Sequence, residues 1–118
     1  MSEVKGEYRR EEELFQGIRD LLESDRRQTP IVVMCLDLCA KLVRKNRDYG
    51  DSAFKEPLLL PGMPSHAAIL VRMSDKIERL RNLFLGGKML VDESCEDTVH
   101  DLAGYCILLA LQMQRERD

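Results

Sequence analysis

The chain has 118 residues, 44% hydrophobic and 33% charged, with a net charge of −3. That suits one helical domain with a real core and excludes disorder. The acidic balance excludes general attraction to nucleic acid or to an anionic membrane, so a bound phosphate must be held by local groups. Trp is absent and aromatics make up 5%, which leaves the core to Leu, Ile, Val, Met and Ala. No apolar run reaches spanning length and the first residues are charged. The expectation is a cytoplasmic protein without signal peptide or membrane helix. The four cysteines form no Cys-x-x-Cys pair. Cys35 and Cys39 lie among apolar residues and are expected to be buried thiols. A zinc or disulfide framework is the minor alternative.

In chain order, residues 1–7 are polar and expected to fray. Leu14, Phe15, Ile18, Leu21 and Leu22 recur at helical spacing and predict a first amphipathic helix over about 11–23. Thr29-Pro30 is a helix start, with Thr29 as cap. The second helix should run to about Asp48, with Ile31, Cys35, Leu38 and Leu42 on its apolar face. Lys41 and Lys45 belong to a polar stripe beside that face, and Gly50 is the terminator. Residues 51–64 read as an ordered loop with a single turn, whose Leu58–Leu60 run plugs the core or a subunit contact.

Ser65 should cap a third helix, where Ile69, Met73, Ile77, Leu80 and Phe84 advance in steps of 4, 4, 3 and 4. That is a buried stripe. Gly86-Gly87 stops it, and Asp92 or Ser94 caps a fourth helix reaching about Met113. There, Val99, Ala103, Cys106, Ala110 and Met113 form the expected core face, with Asp97, Asp101 and Leu108 roughly opposite. The half after Asp101 is apolar nearly all round, which predicts a central helix or one pressed against a second subunit. The expected fold is all-α, a bundle of four main helices, as a homodimer.

Two acid pairs carry the functional reading. Asp75 and Glu78 are three apart and Asp97 and Asp101 four apart, so each pair projects from one side of its helix. Glu93 and Tyr105 extend the second row. Two such helices facing each other would make an oxygen-rich cage for a hard divalent cation. The alternative is surface pairing, Asp75 with Arg79 and Glu78 with Arg81 or Asn82, the commoner use of such acids. Glu93, Glu96 and Asp97 also suit a helix N-terminus, whereas Asp101 lies too far along the helix for that. Lys41, Lys45, Arg72 and Lys76 are candidates for phosphate contact, Tyr49 for stacking on a base, and Tyr105 for donating to a carboxylate or packing. His66 and His100 make no Glu-x-x-His element of the di-iron type. No nucleophilic triad or Gly-rich phosphate loop is present.

Lys45-Asn-Arg47-Asp48-Tyr49-Gly50-Asp51-Ser52, then Arg72-x-x-Asp75-Lys76-x-x-Arg79, then Asp92-Glu93-Ser94 with Glu96-Asp97-x-x-x-Asp101-Leu-x-x-Tyr105 resemble the nucleotide-modification-associated helical domain of phage and bacterial proteins. The likeness covers about residues 35–112. That group looks like a branch of the all-α nucleoside triphosphate pyrophosphohydrolases, the MazG-like and dimeric dUTPase-like enzymes. The resemblance implies a MazG-like dimer using Mg²⁺, with Mn²⁺ as a substitute, to cleave a nucleotide between its α and β phosphates. It implies Asp75, Glu78, Glu93, Asp97 and Asp101 as metal ligands, with Glu78 and Asp101 catalytic. Lys45, Tyr49, Arg72, Lys76, Arg79 and Tyr105 become the substrate-binding set. Asp75-x-x-Glu78 carries Asp where those enzymes carry the first Glu of Glu-x-x-Glu. Asp97-x-x-x-Asp101 is one residue longer than their Glu-x-x-Asp. The second expectation, from another class, is a non-catalytic module that binds a nucleotide or a partner protein.

Overall fold

The structure, a computed structural model, describes residues 2–86 and 93–118, with side-chain environments for 9–86 and 95–118. The fold is all-α, with four main helices: α1 (Ser2–Ser24), α2 (Thr29–Asp48), α3 (Ser65–Leu85) and α4 (Glu93–Arg117). The chain divides into two compact units, 1–37 and 38–118, with α2 contributing to both.

In the first unit α1 reaches back to Ser2 instead of starting near residue 11, because Glu, Lys and Arg sustain a helix wherever no Pro intervenes. Leu14, Phe15, Ile18 and Leu21 are all exposed. The link after α1 is a 3₁₀ turn at Arg26–Gln28, capped by the Asp25 carboxylate, which accepts from the Arg27 amide at 3.2 Å. Thr29 does not act as the acceptor expected of a cap. Its hydroxyl donates backwards to the Arg26 carbonyl at 2.8 Å. Cys35 is exposed, as is Cys39 just inside the second unit, and both are free thiols. The expectation of burial fails there because the apolar face of α2 is covered only around Leu38 and Leu42.

The second unit begins with the end of α2. Gly50 terminates that helix as predicted. It takes a left-handed φ of 58°, with its amide on the Arg47 carbonyl and the Asp51 amide on the Asn46 carbonyl. That pair of bonds is the Schellman closure. Asp51 is also left-handed at φ 61°, and its carboxylate accepts from the Asn46 side chain at 2.6 Å. The reversal feeds a 3₁₀ turn at Ser52–Phe54 that packs on both α3 and α4. Ala53 is buried there, and the Arg115 guanidinium lies 4.0 Å over the Phe54 ring. Leu58 is 94% exposed, with Leu59 and Leu60 exposed beside it. The run therefore does not plug the core of this chain.

The helix α3 starts one residue differently from the expectation. Pro64 stands in the cap position, without a side-chain bond, and its carbonyl receives the Ala68 amide at 3.1 Å. Gly86 ends the helix, as read from the sequence, by returning its amide to Asn82. The expected buried stripe holds in the first half, where Ile69 is 1% exposed and Met73 packs beside it. It fails at Ile77 and Phe84, which are exposed. Asp92, one candidate cap of α4, lies outside the described residues, and the helix runs past Met113 to Arg117.

The largest departure concerns which face of α4 turns inward. Leu108 is buried against Ala53 and Ile69, with Leu42, Phe54, Tyr105 and Leu109 around them. Gly104 is buried too, and a Cβ there would lie 3.4 Å from the Leu42 Cδ1. The face bearing Asp101, Gly104 and Leu108 therefore packs, and the expected core face does not. Val99 is 45% and Met113 55% exposed, with Cys106 and Ala110 exposed between them. Both faces are apolar enough to be a core, so composition along the helix does not rank them. Tertiary packing decides it, and Gly104 is buried on the side that turns inward.

Candidate functional site

All residues of the main cleft belong to the second unit. The Schellman turn after α2 directs Tyr49 to its rim, while Lys45, one turn earlier, and Arg72 on α3 supply positive charge. One turn apart on α4, Asp97 and Asp101 stand on the packed side of that helix and line the same cleft. Tyr105 continues the row inward, and Leu42 and Leu108 form an apolar inner wall. The cleft holds about 790 Å³, within the range of small-molecule sites.

Asp101 is the electrostatic centre. Lys45 on α2 reaches one carboxylate oxygen at 3.3 Å, and Lys76 on α3 reaches the other at 3.2 Å. Three helices thus meet at a single carboxyl whose side chain is 31% exposed. Burial pushes this carboxyl up, but hydrogen bonds from Lys76 and Lys45, with their charges, outweigh it. Asp101 titrates below the usual carboxylate value. Among the described residues neither Arg72 nor Asp97 has an ion-pair partner.

A second, shallower hollow of about 740 Å³ runs along α3 and is lined by Asp75, Lys76, Glu78 and Arg79. Glu78 sits 4.0 Å from Arg81, both well exposed, a loose surface pair of the kind expected for such acids. Lys76 links the two features, lining the hollow and bonding to Asp101. The structure therefore gathers Lys45, Tyr49, Arg72, Asp97, Asp101 and Tyr105 in one cleft, and Asp75, Glu78 and Arg79 in another. The Glu93 side chain lies outside the described residues. Among those described, no group of three or more His, Cys, Asp and Glu side chains stands together as a metal cage. The hard-oxygen chemistry of Asp97 and Asp101 still fits a Mg²⁺ ion that is shared with phosphate oxygens. Such ions keep most of their shell as water and substrate and take only one or two protein carboxylates.

His100 lines the cleft although its spacing gave no ligand motif. Its Nε2 is 3.8 Å from Glu96 and its Nδ1 is buried without a partner. Its place beside Asp101 was the available signal. At the far end of α4, His66 Nδ1 meets Glu116 at 2.7 Å, and the hydrogen bond holds the Glu116 carboxyl below its usual value.

Residues 45–113 match the family described as nucleotide modification associated domain 1. The chain belongs to that family. No curated protein and no solved structure matches it. The match opens at Lys45 and closes at Met113, so the nucleotide modification associated domain contains every cleft residue named above except Leu42, and leaves α1 outside. No helix among the described residues is long and apolar enough to cross a membrane.

Proposed function

We propose that the cleft binds the polyphosphate of a nucleoside triphosphate together with Mg²⁺. On this reading the domain is a MazG-like pyrophosphohydrolase that yields a nucleoside monophosphate and pyrophosphate. The observation that carries this reading is the convergence of Lys45, Arg72, Asp97 and Asp101 on one cleft with an aromatic rim and apolar floor. Lys45, Lys76 and Arg72 bind phosphate oxygens, Arg72 as a planar two-pronged donor. Tyr49 and Tyr105 flank the base. Asp97 and Asp101 would hold Mg²⁺, which, when bound, screens phosphate charge and lowers the pKa of an attacking water. A carboxylate of the cleft, Asp101 foremost, takes the water's proton. The water oxygen bonds to the α-phosphorus, the bond from that phosphorus to the bridging oxygen breaks, and pyrophosphate leaves with the electron pair. Asp75, Glu78 and Arg79 stand next to this site through Lys76, where they complete the ligand set or set the local field.

Incubation with standard and modified nucleoside triphosphates plus Mg²⁺, with an assay for pyrophosphate, tests this. Release by the wild type and its loss in Asp101→Asn is the expected result. Tight nucleotide binding without release from any substrate would instead establish a non-catalytic nucleotide-binding module. The doubly lysine-bound Asp101 is the observation that favours that second reading.

The domain is further proposed to act as a homodimer. The uncovered side of α4 supports this, because Val99, Ala103, Cys106, Ala110 and Met113 advance in steps of 4, 3, 4 and 3, the heptad rhythm of a helix seam. Light scattering of Ala110→Glu against wild type checks it, with a dimer expected to become a monomer.

A further inference from the structure

Asp101 is asked to do two things in the cleft, and the geometry allows only one at a time. Its two oxygens each carry a lysine ammonium, from α2 at 3.3 Å and from α3 at 3.2 Å. Those same ammoniums stand at the cleft, Lys45 lining it and Lys76 reaching Asp101 in it, as donors for an incoming phosphate chain. A cation approaching Asp101 meets two positive charges already in place, so protein and metal compete for the same lone pairs. A phosphate oxygen offers each lysine a replacement anion of equal or greater charge. Movement of Lys45 and Lys76 from carboxylate to phosphate would leave both Asp101 oxygens open at the moment the phosphate arrives.

We infer that Lys45 and Lys76 form a latch on Asp101 that makes divalent-cation binding conditional on anionic ligand. This rests on the reading of the cleft as a phosphate site and adds its regulation. The free protein has weak cation affinity because the latch is closed. A phosphate chain opens it, and binding of phosphate and cation becomes mutually reinforcing, since linkage between two ligands is reciprocal. An enzyme so built does not hold a metal idle between turnovers. The arrangement also gives Lys76 a reason to sit between the two hollows: once released from Asp101, its ammonium is drawn toward phosphate and away from the cation position.

The test has a counter-intuitive sign. Removing two partial barriers should tighten metal binding, so the Lys45→Met, Lys76→Met double variant, without nucleotide, is expected to bind Mn²⁺ about tenfold more tightly than wild type by calorimetry. Adding Asp101→Asn to that background should abolish the gain. A Lys41→Met variant removes one positive charge from the same cleft without touching Asp101. Its effect gives the share due to general charge, expected to be about twofold or less. Circular dichroism shows whether the variants keep their helices. In a parallel titration without metal, inorganic pyrophosphate should bind wild type and bind the double variant at least tenfold more weakly. Unchanged Mn²⁺ affinity in the double variant, with pyrophosphate still bound by wild type, overturns the latch alone. Failure of wild type to bind pyrophosphate overturns the reading of the cleft beneath it.

Discussion

Two acid pairs, written almost identically in the sequence, end in different circumstances. Asp97 and Asp101 line a cleft where lysines from α2 and α3 close on Asp101. Asp75 and Glu78 line an open hollow on α3, with Glu78 opposite an arginine of its own helix at 4.0 Å. Spacing guarantees that two acids share a side of a helix. What that side meets depends on tertiary packing. Asp101 acquires partners because its side of α4, with buried Gly104 and Leu108, turns inward, where Lys45 and Lys76 reach it. Asp75 and Glu78 lie on a side of α3 that lines the open hollow.

The difference can be sharpened first through ligand binding. Arg72→Ala removes a charged donor of the cleft and is expected to weaken nucleoside triphosphate binding by about tenfold to a hundredfold. Glu78→Gln, in the other hollow, should change metal-free binding by about twofold or less, both measured by calorimetry. Comparable losses in the two variants would erase the distinction between the sites.

Stability gives the next contrast. Asp101→Asn leaves two ammoniums without their shared anion and should cost about 1 kcal/mol in urea unfolding. Asp75→Asn should stay within about 0.5 kcal/mol of wild type, as ordinary surface substitutions do.

Acidity supplies the smallest and most specific contrast. The folded-state value of Asp101 lies below its ordinary value of 3.8. Its contribution is therefore fully present above that ordinary value and is lost as pH falls through the depressed one. The gap in urea midpoint between wild type and Asp101→Asn should stay level from pH 7 to about pH 4, then close below it. A gap that closes between pH 7 and pH 5 would point to a different group.

The all-α class, the ends of α2 and α3 at Gly50 and Gly86, and the first half of the α3 stripe were legible in residue type and periodicity. They depend on local conformation and on a single face. The inward side of α4 was not legible. Val99, Ala103, Cys106, Ala110 and Met113 make a better apolar rhythm than the face that packs, and only tertiary packing selects the latter. The exposure of Leu58–Leu60 was equally hidden, since a leucine run states that something must cover it and not what. Among site residues, Lys45, Tyr49, Arg72, Asp97, Asp101 and Tyr105 were read individually from the chain and share one cleft. The Lys45–Asp101–Lys76 bridge was beyond sequence reasoning, because its members come from three helices and span 56 residues between the outer two.

The proposed function requires that a nucleotide's phosphates sit in that cleft. Backbone amide spectra of the ¹⁵N-labelled protein, titrated with a nucleoside triphosphate and Mg²⁺, test it directly. The signals of Lys45, Tyr49, Arg72, Lys76, Asp101 and Tyr105 are expected to move together and saturate with one affinity, while those of α1 stay still. Saturating shifts confined to α1, or none at all around Asp101, would contradict it.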